Sequence, residues 1–90
     1  MTAKTLFESV EKILEQNPKF GRRVLNGLDY DYLNSWVQAG YPLEAIMQGI
    51  LISLRNFKPS LQHPSIRSMA YFQAEIEGAA KARRLETVWS

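Results

Sequence analysis

Few residues in this chain are of types that could do chemistry, and their spacing works against it. Cysteine is absent, which excludes disulfides, thiolate metal sites and cysteine nucleophiles. His63 is the only histidine and stands directly before Pro64; with no second imidazole one helical turn away, it reads as a cap or a solvated loop residue rather than a ligand. Asp29 and Asp31, like Glu75 and Glu77, are two positions apart. On a helix that spacing turns side chains about 200° from each other, so neither pair forms a carboxylate dyad. First-turn acids favoured by the helix dipole are the simpler reading of Asp29 and Asp31. No GxSxG, GxGxxG or GxxxxGK[ST] pattern occurs, so neither a nucleophile elbow nor a phosphate loop is expected. No enzyme, cofactor or metal centre is expected.

Binding chemistry is better represented. From Arg55 to Arg84 the chain carries six bases (Arg55, Lys58, Arg67, Lys81, Arg83 and Arg84) against two acids, Glu75 and Glu77. Arg55, Lys58 and Arg67 flank one connector and are expected to form a single patch, joined by Lys19, Arg22 and Arg23 if the fold brings them near. Phe57, Tyr71 and Phe72 lie close by in sequence. Cations for a phosphate backbone and rings for stacking are the ingredients of single-strand binding. The competing reading makes Phe57 and Phe72 core and the bases a solvated face, with Lys81, Arg83 and Arg84 answering a helix dipole. Tyr30, Tyr32 and Tyr41 cluster around a tight corner and suggest a protein interface or a homodimer contact, or else half-buried rim residues. Trp36 is expected in the core. Trp89 either folds back or serves a partner.

The elements that must hold these residues follow from periodicity. Ninety residues, 46% hydrophobic and 22% charged, make one small packed domain with no room for a second. A net charge of +2 is too mild to imply a nucleic-acid partner by itself. The N-terminus carries Glu8 and Glu11 where a secretory signal would be apolar, and the most apolar run, Ala45 to Leu54, is half the length of a membrane span. No membrane partner and a cytoplasmic location are expected.

Hydrophobic period 3.6 recurs four times and period 2 is nowhere sustained. Thr5, with Glu8 three residues on, is expected to cap a first helix through Leu6, Val10, Ile13 and Leu14 until Asn17-Pro18 ends it. Pro18 can open a short extra turn carrying Phe20. Asp29 is expected to cap a second helix bearing Leu33, Trp36 and Val37, with Leu28 and Leu33 as its staple and Gly40 at its left-handed end. Pro42 opens a third, central helix with Leu43, Ile46, Met47, Ile50, Leu51 and Leu54 inward and Ala45 and Ile52 widening that stripe. Pro64 opens the last, running to about Leu85 with Ile66, Met69, Phe72 or Gln73, Ile76, Ala79 and Ala80 inward. The expectation is a compact all-α bundle of four main helices with short connections. It forms a single domain over 1–90, with its core about 5–85 and a tail at 86–90.

The Gly40 corner between two helices matches the length of a helix-turn-helix. Glu44, Gln48, Gly49 and Ser53, the non-core positions of its second helix, lack the groups a recognition helix needs. A plain αα-hairpin is the better reading.

The stretch LDYDYLNSWVQAGYPLEAIMQGILISLRNF, followed by SIRSMAYFQAEIE, resembles the C-terminal helical domain of the DnaD-like replication (primosome) proteins. Trp36, the turn at Gly40-Tyr41, Glu44-Ala45-Ile46, Ile50 and the segment from Tyr71 to Ile76 carry the resemblance, over residues 28 to about 80. The family's DNA-contacting element is a tyrosine, an isoleucine four residues on and a tryptophan four beyond. Here Tyr71 is followed by Glu75, Ile76 comes one place late, and Ala80 stands in the tryptophan's position. The resemblance implies a helical module of DNA replication or of a mobile element, acting by binding single- or double-stranded DNA.

Overall fold

Thr2, and not Thr5, starts the first helix. Its Oγ1 accepts from the Thr5 N–H at 3.1 Å, and the two hydroxyls bond at 2.9 Å. Ala3 and Lys4 are good helix formers, so the helix extends back to the earlier of two equivalent caps. In the computed structural model, which describes residues 2–21 and 24–89 with side chains through 83, four α-helices are present: α1 (Ala3–Gln16), α2 (Gly27–Gln38), α3 (Leu43–Asn56) and α4 (Gln73–Trp89). Short 3-10 turns at Pro18–Phe20 and Met69–Phe72 complete them, and no strand occurs among the described residues. The protein is an all-α bundle, as expected.

Leu6, Val10 and Leu14 bury one stripe of α1. Asn17 ends the helix in an extended conformation, and its Oδ1 then accepts from the Lys19 N–H at 2.8 Å to open the 3-10 turn that buries Phe20. The cap of α2 is Asn26 instead of Asp29. Asp29 donates its N–H to Asn26 Oδ1, and its carboxylate accepts from the Asn26 N–H, each at 3.0 Å. This reciprocal box satisfies two N–H groups where an Asp29 cap would satisfy one, which is why it wins. Leu28 is 63% exposed, so the expected staple does not form. At the other end Gly40 adopts φ 87°, Gly40 N–H bonds Val37 O and Tyr41 N–H bonds Trp36 O, which turns the chain sharply into α3.

α3 is the hub. Ala45, Ile46, Ile50 and Leu54 are buried and Leu43 and Met47 pack against the core, as expected; Leu51, expected inward, is 46% exposed, and Gly49 and Ser53 are buried in addition. Small side chains at Ala45, Gly49 and Ser53 let α4 approach closely. Ala45 packs on Ala79 and Ala80, and Gly49 meets Ile76, so the two helices run antiparallel.

The last helix does not begin at Pro64. Residues 57–68 form a connector, Ser68 caps the 3-10 turn through its Oγ, and α4 starts at Gln73. The Ile66 N–H is bonded to the Lys19 carbonyl at 2.6 Å, which holds this stretch against the Pro18–Phe20 turn and out of a helix. The predicted inward stripe survives nonetheless: Ile66, Met69, Phe72, Ile76, Ala79 and Ala80 are all buried. A spacing of three at 66, 69 and 72 fits 3-10 geometry as well as α. Backbone of α4 continues to Trp89, so the segment 86–89 expected as a tail is helical.

Candidate nucleic-acid interface

Phe57 ends α3 and turns its ring under the connector, where it is nearly buried. Tyr71 meets it edge-on with centroids 5.6 Å apart, and meets Phe72 edge-on at 6.0 Å. Phe72 stacks in turn on Phe20 at 6.3 Å, which roots the cluster in the core. Tyr71 is the exposed member at 47%. Edge-to-face packing on two sides fixes its ring plane while nearly half of the residue stays in solvent.

Around this ring the connector folds into an open cleft of about 810 Å³, whose walls include Lys58, His63, Ser65, Arg67 and Tyr71. His63 closes a turn with Ser60: its N–H donates to Ser60 Oγ at 3.0 Å and its carbonyl accepts from the Ser60 N–H. Its backbone thus does the turn's work while the imidazole stays exposed at the cleft.

The structure divides the sequence-predicted site residues. Lys58, Arg67 and Tyr71 come together on the cleft. Arg55 and Arg83 do not join them; they line a second groove of about 670 Å³ with Met47, Leu51 and Ile52, and Arg83 Nη2 donates to Gln48 Oε1 at 3.3 Å. Lys81 is exposed on α4. The Arg84 side chain, Arg22, Arg23 and the Trp89 side chain lie outside the described residues. Lys19 is lost to the patch, because its Nζ donates to the Leu54 carbonyl at 2.8 Å and caps the end of α3. Ser60, Ser65 and Ser68 at the cleft were not singled out in the sequence, where nothing distinguishes them from ordinary loop serines.

The tyrosines near the corner are engaged within the fold rather than presented on a free surface. Trp36 is buried and donates its Nε1–H to Gln73, whose amide donates to Glu77 Oε1 at 2.6 Å; Tyr41 reaches the same carboxylate at 3.5 Å. Tyr32 packs on Trp36 with centroids 5.9 Å apart. Tyr30 donates its O–H to Glu11, and that bond, with some desolvation and the nearby charge of Glu11, pushes its phenol up to about 12.

Asp29 is buried in its capping box and Asp31 is exposed, so they share no site. No group of three His, Cys, Asp or Glu suited to a metal exists among the described residues, and no helix there is long and apolar enough to cross a membrane. No protein-family model, curated protein or solved structure matches this chain.

Proposed function

We propose that this chain is a nonenzymatic helical binding module whose cleft, between the 57–68 connector and Tyr71, holds single-stranded nucleic acid, in a DnaD-like role in replication. The observation that carries the reading is the convergence of Lys58, Arg67 and Tyr71 on one open cleft, from opposite ends of the connector. Lys58 and Arg67 supply charge for adjacent phosphates, and the half-exposed Tyr71 supplies a stacking platform. Because Phe57 and Phe72 already hold that ring, a base that stacks on it orders no further side chain. A single strand suits the cleft better than a duplex, whose bases are stacked on each other and offer no free face to Tyr71.

Fluorescence anisotropy with a labelled thymidine oligonucleotide tests the reading. With two phosphates neutralised, log K should fall against log salt with a slope of about −1.4. Tyr71→Ala should weaken binding by roughly 5- to 150-fold, the loss of one stacked base. No binding at low salt overturns the reading, and tighter binding of duplex than of single strand removes the stacking part of it. The alternative, a module that associates with a protein partner or with itself, draws on a different surface, the outer face of α3.

A further inference from the structure

α3 carries more apolar side chains than its inner face can use. With Ala45, Ile46, Ile50 and Leu54 turned inward, Leu51 and Ile52 remain on the outside, and Met47, packed against the core on one side, borders them. Leu51 is 46% exposed, and Met47 and Ile52 are half-buried. Together with Glu44, Gln48 and Arg55 they occupy positions 44, 47, 48, 51, 52 and 55, spacings of three and one that lie along one helix face. These six residues and Arg83 line the open groove of about 670 Å³. It shares no residue with the cleft at the connector.

We propose that this face is a homodimer interface in which α3 packs antiparallel against α3 of a second copy about a two-fold axis. The pattern of the strip selects that occupant. Glu44 lies in the first turn and Arg55 in the last, about 16 Å apart along the helix. When the strip is laid on its own reverse, Glu44 meets Arg55 of the second copy, Met47 meets Ile52, and Gln48 meets Leu51; the two-fold axis then repeats each pair. Charge meets opposite charge at both ends, Met47 and Ile52 meet as apolar pairs inside them, and the Gln48 amide lies against Leu51 nearest the axis, each pair repeated as an isologous contact requires. The two helix dipoles also oppose each other. A parallel pairing would set Glu44 on Glu44 and Arg55 on Arg55. A uniformly acidic partner helix would match Arg55 and be repelled at Glu44. The bond from Arg83 to Gln48 ties that amide to the α4 side and leaves Leu51 and Ile52, bordered by half-buried Met47, as the ridge. A single helix pair is a small contact, at the low end of specific interfaces, so the dimer forms with rising concentration and is not permanent.

Sedimentation velocity of the full chain at low salt, from micromolar to millimolar, reads the result. The weight-average mass should rise from 10.3 kDa towards twice that value. Leu51→Lys, at an exposed position and with circular dichroism as the check on folding, should weaken dimerisation at least tenfold. Glu44→Arg and Arg55→Glu should each weaken it several-fold, and both reversals in one chain should restore it, because the antiparallel pairing re-forms with the signs exchanged. A chain that stays at 10.3 kDa at every concentration overturns the proposal and leaves the strip to a different protein. A dimer indifferent to Leu51→Lys, or one that the double reversal does not restore, overturns it as well.

Discussion

Gly49 and Ile76 mark the point where α3 and α4 come closest: a Cβ on residue 49 would lie 2.5 Å from Ile76 Cγ1 and 2.6 Å from the Ile76 backbone N and Cα. Backbone cannot move aside as a side-chain tip can, so this contact sets the distance between the two most extensively packed helices of the fold. In the middle of an isolated helix, Gly→Ala would stabilise by about 1 kcal/mol. Here the overlap dominates, and Gly49→Ala is expected to destabilise the fold by about 1–3 kcal/mol, the usual cost of overpacking. Urea denaturation followed by circular dichroism measures it; a rise in the midpoint would mean the helices are not in such close contact.

One turn further along, Ser53 presents the opposite case. It is 2% exposed and its Oγ has no hydrogen-bond partner among the described residues. Burying an unsatisfied hydroxyl costs free energy that alanine does not incur. Ser53→Ala should therefore leave stability unchanged or raise it by up to about 1 kcal/mol, against the destabilisation usual for core substitutions. The same denaturation experiment decides, and a clear loss of stability would show that the hydroxyl is satisfied after all.

Tyr30 links α2 to α1 through Glu11, and its phenol is raised from 10.0 to about 12. The folded state thus holds this proton more tightly than the unfolded chain. The contribution to stability is present in full below pH 10 and is lost as pH climbs from 10 towards 12. In an alkaline titration of phenolate absorbance, the wild type should show one tyrosine ionising near 12 that Tyr30→Phe lacks. The variant should also lose less stability than the wild type across that interval. A titration in which Tyr30→Phe removes a transition near 10 would contradict the Glu11 contact.

For the cleft, position is expected to matter more than charge alone. Lys58→Ala and Arg67→Ala each remove a cation that lines the cleft with Tyr71, and each should reduce the salt slope of oligonucleotide binding by about 0.7. Lys81→Ala removes an equal charge from the exposed surface of α4 and should leave the slope unchanged. Anisotropy titrations at three or more salt concentrations separate these outcomes. Equal effects at all three positions would mean diffuse attraction to a basic protein, without a cleft.

Periodicity and local chemistry alone determined the class of the fold and the inward stripes. Leu6, Val10 and Leu14, Ile46 and Ile50, and Ile76, Ala79 and Ala80 are buried where a period of 3.6 puts them, because one face of an isolated helix must leave water whatever it packs against. The Gly40 corner was equally local, since its left-handed backbone suits glycine. Asn26 was legible in principle, as an Asn three residues before an acid, although Asp29 is by residue type an equally good cap. Other features depended on contacts between residues far apart in the chain. Gly49 and Ser53 are buried only because α4 needs a narrow side of α3 to lie against. The connector stays out of a helix because the Ile66 amide finds the carbonyl of Lys19. That same bond holds the stretch that brings Arg67 to the cleft lined by Lys58 and Tyr71, and the capping of α3 by Lys19 withdraws a cation that sequence alone left in the patch. Spacing along the chain says which side of a helix leaves water; only the packed molecule decides what meets it there.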